Sequence, residues 1–242
     1  MEFVDDLLRE AGARIHRLGE TMGLPRVAAW ANLATAAPVA GVDGQPMPAQ
    51  FRFTEKGVDY WREPDLALRN AVVAIVRVLG EPFFYDGTRI AGWRPLDVDQ
   101  ALLDRMERRD YGVRNAIVAP IHLPHGIIGA VVWATGEPSL NVARVFDRHA
   151  AEAQIEALRF IALCDERSAG HRRVVDARLT RREIQCLKLM AAGKTDSEVG
   201  AILGLAVPTV RFHLKNAGAK LGRDGRLRIV RAAGALGYIG EP

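Results

Sequence analysis

The spacing of apolar residues changes along this chain, and each change predicts an element. Val4, Leu8, Ala11, Ile15, Leu18 and Met22 recur four and three residues apart, with Arg9, Glu10, Arg14 and Arg17 off that line. This predicts a helix with a narrow apolar seam, packed on the core of its own domain. Residues 26–48 are rich in Ala, Val, Gly and Pro around Trp30, which predicts a strand and then a loop from Gly41 to Pro48. Pro64-Asp65 opens a helical run through Leu68, Val72, Ile75, Val76 and Leu79 that Gly80 closes. Pro82-Phe83-Phe84-Tyr85 predicts a short strand; a glycine-containing loop leads to Trp93, and Val98 to Arg108 reads as a helix. Two β-rich runs, Asn115–Leu123 and Ile127–Ala134, joined by Pro124-His125-Gly126, predict a hairpin, and a helix follows from Leu140 to about Arg167.

This order of elements predicts an α+β fold for residues 1–167, an α/β/α sandwich with a mainly antiparallel sheet covered by helices. Residues 168–177 read as a linker. Residues 178–242 read as a second, small all-α domain, whose helix boundaries are written in its capping residues. Thr180 stands three residues before Glu183, so hydroxyl and carboxylate can each satisfy an amide at a helix start, and the helix begins at Arg181. Ile184, Leu187, Leu189, Met190 and Ala191 supply its apolar face, and Gly193 supplies a left-handed stop. Thr195 and Glu198 repeat the reciprocal cap before Val199, Ile202 and Leu203, and Gly204 ends that helix. Pro208 then opens a third helix, to about Lys220, with Val210, Leu214, Ala217 and Leu221 inward and Thr209, Arg211, Phe212, Lys215 and Asn216 on the other faces.

Composition narrows the class. The 242 residues, 49% hydrophobic, suffice for two cores. No run approaches the roughly 20 apolar residues that span a bilayer, and the acidic start Met1-Glu2-Phe3-Val4-Asp5-Asp6 is unlike a secretory signal. A cytoplasmic protein without a membrane partner is expected. The two cysteines, Cys164 and Cys186, make no metal-binding spacing and are expected as buried thiols; no metal or cofactor is implied. The formal charge of +4 is unevenly placed. Residues 171–242 hold fourteen Lys and Arg against six Asp and Glu, a net +8, whereas residues 1–170 hold 19 against 23, a net −4.

The residues Leu179-Thr180-Arg181-Arg182-Glu183, Gly193-Lys194-Thr195, Ile202-Leu203-Gly204-Leu205, Thr209 through Ala217 and Lys220-Leu221-Gly222 together resemble the LuxR-type helix-turn-helix over about sixty residues. The resemblance implies a DNA-binding domain, with Arg211, Phe212 and Lys215 toward major-groove bases and Lys194, Thr209 and Lys220 toward phosphates. The plain alternative for Arg211, Lys215 and Lys220 is a solvated charged face. Ala206 departs from the family, which usually has a capping serine there; a lost cap costs roughly 1 kcal/mol.

The first domain resembles, over its whole length, the autoinducer-binding domain of LuxR-type regulators, most recognisably in Tyr111 through Pro120 and in His125-Gly126. That family's ligand lies between sheet and helices. It usually has a tryptophan that donates to a lactone carbonyl, a tyrosine four residues on, and an Asp-Pro whose carboxylate accepts the ligand amide. Here Phe51 takes the tryptophan position, Glu55 lies near the tyrosine, Glu63-Pro64 replaces Asp-Pro, and Ala116 stands for a glycine. Phe51 cannot donate a hydrogen bond. Phe51, Glu63 and Tyr85 are the ligand candidates, while Tyr60, Trp61, Phe84, Trp93 and Trp133 read as core aromatics.

Catalysis is not expected: His122, His125 and His149 have no nucleophile or carboxylate motif with them, and no phosphate-cradling glycine loop appears. A phosphorylated receiver domain would need parallel βα alternation and an aspartate after a strand, but Asp5-Asp6 lie in an amphipathic helix. The resemblance implies a homodimeric regulator of double-stranded DNA with a small-molecule effector, an acyl-homoserine lactone or another apolar signal. The alternative is a ligand-independent regulator whose first domain dimerises or binds a partner protein.

Overall fold

A computed structural model describes residues 2–34, 71–99, 101, 102, 104, 112–169 and 177–240. The chain divides into two compact units, one of residues 1–123 and 127–172 and the other of residues 124–126 and 173–242. In the first unit the predicted amphipathic helix is α1, Glu2–Met22. It turns at Gly23, in the left-handed region at φ 70°, and leads into β1, Arg26–Trp30. After α2, Ala71–Val76, come β2, Phe83–Tyr85, and β3, Ile90–Gly92. The hairpin pairs β4, Asn115–Leu123, with β5, Ile127–Thr135, and a long helix, α3, spans Val142–Ala169.

The sheet runs β1-β5-β4-β2-β3 and is antiparallel at every pairing. Alternation along β4 and β5 divides their side chains between two cores. Ile117, Ala119, Ile121, Val131 and Trp133 join α1 and α3 on one face; Ala116, Val118, Ala130, Val132 and Ala134 join Val73, Val76, Phe83, Tyr85 and Ile90 on the other. The mainly antiparallel α/β/α sandwich is thereby observed. The seam of α1 is buried as its spacing predicts, with Leu8, Ala11, Ile15, Leu18 and Met22 in the core. Trp133 fixes its height by donating Nε1–H to the carbonyl of Ile15 at 2.9 Å. Arg14 with Glu156 and Arg167 with Asp5, both at 3.0 Å, tie α1 to α3.

Some boundaries differ from expectation. The loop after Tyr85 contains β3, because Phe83, Phe84 and Tyr85 pair with Gly92, Ala91 and Ile90; three residues are too few for a periodicity signal. The last helix begins at Val142, since Asn141 caps it by accepting the amide of Arg144 at 3.1 Å. The opening of the helical run at Pro64, the loop at Gly41 to Pro48 and most of Val98 to Arg108 lie outside the described residues. Trp93, expected in the core, is exposed and stands with its ring 6.2 Å from that of Phe146.

The second unit consists of α4, Arg181–Ala191, α5, Asp196–Leu203, α6, Val207–Leu221, and α7, Arg226–Ala235. Leu187 and Met190 of α4 meet Ala217 of α6 and Ile229 and Ala233 of α7 in one cluster, and Cys186, Val199 and Val210 form a second. The inward set on α6 is as spaced: Val210 and Ala217 are buried, with Leu214 and Leu221 packed beside them. On α4, Ala191 faces solvent, and the buried positions include Cys186 and, unexpectedly, the charged Glu183. Cys164 in the first unit is buried as well, and burial pushes its thiol up to about 12, out of the range of a reactive thiolate.

Candidate nucleic-acid interface

Both reciprocal caps are present. Thr180 accepts the Glu183 amide and Glu183 accepts the Thr180 amide; Thr195 and Glu198 do the same for α5. These bonds set where α4 and α5 begin. Gly204, left-handed at φ 65°, turns the chain out of α5, and the Leu205 amide returns to the Gly200 carbonyl at 2.9 Å. At Gly200 an added Cβ would lie 2.6 Å from the Leu205 carbonyl oxygen, so this close α5-to-turn contact needs glycine. It aims α6. The helix starts one residue earlier than its proline suggests, at Val207, and Ala206 makes no side-chain cap.

α6 presents Thr209, Arg211, Phe212 and Lys215 to solvent while Asn216 is half-buried. Phe212 is 60% exposed, a large apolar side chain in a basic setting. Arg211 is 71% exposed, yet its Nε donates to Asp196 Oδ2 at 3.0 Å. The other oxygen of Asp196 accepts from Arg226 Nη1 at 2.7 Å, and Arg226 Nη2 donates to the Lys194 carbonyl. The hydrogen bond from Arg211, aided by Arg226 against a partial desolvation, holds the Asp196 carboxyl below the usual carboxylate range. Lys194 itself is half-buried in the turn between α4 and α5.

Lys220 stands apart from the other basic residues. Its Nζ donates to Glu183 Oε2 at 2.8 Å and to the Arg178 carbonyl at 3.2 Å, so its ammonium joins α6 to α4. Desolvation of Glu183 is outweighed by the bonds from Lys220 and Thr180, and its carboxyl is held below the ordinary range. In the sequence Asp196 reads only as part of a cap, and Arg226 carries no distinguishing spacing. Their pairing with Arg211 spans three helices, and no local spacing carries it.

Of the ligand candidates, Phe51 and Glu63 lie outside the described residues. Tyr85 is buried on the sheet face opposite α1 and α3, and its hydroxyl donates to the Gly87 carbonyl at 2.8 Å. That bond uses the phenol's one proton.

The profile GerE, bacterial regulatory proteins of the luxR family, matches residues 177–233, the span that holds α4 to α6 and most of α7. Residues 177–233 are thus similar to the luxR-family domain. The transcriptional activator protein PhzR of Pseudomonas fluorescens is 41% identical over 64 residues, 26% of each chain. The HTH-type quorum sensing-dependent transcriptional regulator VjbR of Brucella ovis is 45% identical over 64 residues, 26% of this chain and 25% of VjbR. The transcriptional activator protein VanR of Vibrio anguillarum is 31% identical over 137 residues, 55% of each. The chain thus spans between about a quarter and about half the length of these curated relatives. Among solved structures, SdiA in complex with octanoyl-rac-glycerol is similar at 18% identity, covering 97% of this chain and 91% of that one with a TM-score of 0.46. No described helix is long and apolar enough to cross a membrane.

Proposed function

We propose that this chain is a cytoplasmic transcription regulator that binds double-stranded DNA through α6 and works as a homodimer. The observation that carries the reading is the solvent-facing set Thr209, Arg211, Phe212 and Lys215 on a helix aimed by a glycine turn, within the span that matches the luxR-family domain. In this reading Arg211, Phe212 and Lys215 meet base edges, and Lys194 and Thr209 meet phosphates. Lys220, engaged with Glu183, serves the frame of the domain more than the phosphates. Dimeric binding joins two half-sites about one helical turn apart. Titration of the full chain into duplex DNA at several salt concentrations tests the reading: affinity should fall linearly with salt on logarithmic axes. Absence of any salt-dependent binding would refute it.

Base reading and backbone anchoring separate by mutation. Arg211→Ala is expected to cost about 1–3 kcal/mol on the preferred site and to relax preference at one base pair. Lys194→Ala is expected to weaken all sequences about equally and to reduce the salt slope by roughly one. Binding profiles on a randomised duplex pool check both.

For the first unit we infer a small apolar effector on the sheet face that carries Tyr85. The small side chains Ala116, Ala130 and Ala134 on that face support this reading, as does the description of VjbR as quorum sensing-dependent. Phe51 at the family's tryptophan position removes a donor, and a buried carbonyl left unpaired costs about 1–3 kcal/mol. Common acyl-homoserine lactones are therefore expected to bind weakly or not at all. Calorimetry with a lactone panel measures this; submicromolar binding that survives Phe51→Ala and Glu63→Ala would overturn both the chemistry and the residue assignments. A ligand-independent regulator is the outcome if an apolar-compound screen also shows no thermal shift.

A further inference from the structure

We propose that Asp196 is the positioning residue for base recognition: it holds Arg211 by Nε so that the two terminal nitrogens face outward as a fork. The proposal rests on the reading above that Arg211 meets a base. Asp196 is the first residue of α5, and its two oxygens divide their work, Oδ2 accepting from Arg211 at 3.0 Å and Oδ1 from Arg226 at 2.7 Å. Arg226 is in turn fixed by the Lys194 carbonyl, so a second, anchored guanidinium braces the carboxylate. Asp196 is 22% exposed at its side chain against 71% for Arg211, so the buttress is the more sheltered partner.

The chemistry follows from what Arg211 has left. Among the described residues Nε is its one paired nitrogen, and the end-on pair Nη1 and Nη2 matches the O6 and N7 acceptors of guanine in the major groove. An arginine on a flexible stem loses rotamer freedom when it binds, and a pre-formed bond at Nε removes part of that loss for one orientation only. Exposed ion pairs contribute little to stability, so aim rather than folding is the effect to expect. The carboxylate also opposes phosphate, and two guanidinium groups offset its charge at the helix start.

The test uses the full chain and a duplex pool with a randomised core, selected in parallel by wild type, Asp196→Ala, Asp196→Asn and Arg211→Ala. Asp196→Ala should discriminate the Arg211-dependent base pair about tenfold less than wild type, with unchanged or tighter binding to unselected duplex because an anionic group has gone. A purely structural role would instead weaken every sequence alike and lower the melting temperature. If Asp196→Ala melts earlier, the isosteric Asp196→Asn carries the comparison, with loss of discrimination again expected. Wild-type discrimination in both Asp196 variants, alongside altered discrimination in Arg211→Ala, overturns the proposal and leaves base reading by Arg211 intact. A wild-type profile for Arg211→Ala overturns base reading and the proposal together.

Discussion

Trp133→Ala is expected to destabilise the first unit by about 3–5 kcal/mol, the range for removing a large aromatic from a packed core. Trp133 is fully buried on β5, paired with Val27 on one side and Ile117 on the other. Its ring fills the space beneath α1 so closely that a Cβ on Gly19 would lie 3.0 Å from its Cδ1. Truncation leaves a cavity there and removes the Nε1–H that the Ile15 carbonyl accepts in addition to its bond in the helix ladder. Trp133→Phe separates the two causes, because the ring largely remains while the hydrogen bond goes, and about 1 kcal/mol of the loss should follow the bond. Urea unfolding of the full chain followed by circular dichroism measures this. Equal losses for Ala and Phe would show that the hydrogen bond, not the packing, holds the helix.

Lys220→Met is expected to cost the second unit about 3 kcal/mol at neutral pH, since it leaves a carboxylate buried without its cation. The Glu183 side chain is only 3% exposed, whereas Lys220, at 35%, can return to water when its partner is removed. Glu183→Gln should therefore cost less than Lys220→Met. The pH dependence has a definite sign. In the wild type the Glu183 carboxyl is held below its ordinary value of 4.5, so its contribution is present above that value and is lost as the pH falls through the lower, folded one. In Lys220→Met burial is no longer opposed by the ammonium and the folded value moves up, so that variant loses less on acidification. The gap between the two proteins should be widest near neutrality and narrow below about pH 4. Melting temperatures from pH 3 to 8 check the sign, and a gap that widens in acid would refute it. Lys220→Met should also leave the salt slope of DNA binding unchanged; a slope reduced by about one would return Lys220 to the phosphates.

Local chemistry determined much of this protein by itself. Residues that bond to near neighbours, such as Thr180 with Glu183 and Thr195 with Glu198, write helix starts directly into the sequence, and glycines at 193 and 204 write the stops. The four-and-three spacing from Val4 to Met22 and the paired runs around Pro124-His125-Gly126 were legible for the same reason, since each side chain's environment repeats with the backbone period. Of the outward set on α6, Thr209, Arg211, Phe212 and Lys215 also followed from period alone, while Asn216 is half-buried. Tertiary structure decided which charges meet. Glu183 reads as a surface cap until α6 brings Lys220 onto it, and Asp196 reads as a helix opener until Arg211 and Arg226, 15 and 30 residues away, converge on its two oxygens. Long flexible cations carry no periodic signature, and their partners depend on how helices cross. The strand Ile90–Gly92 was hidden likewise, because three residues become a strand only when β2 lies beside them.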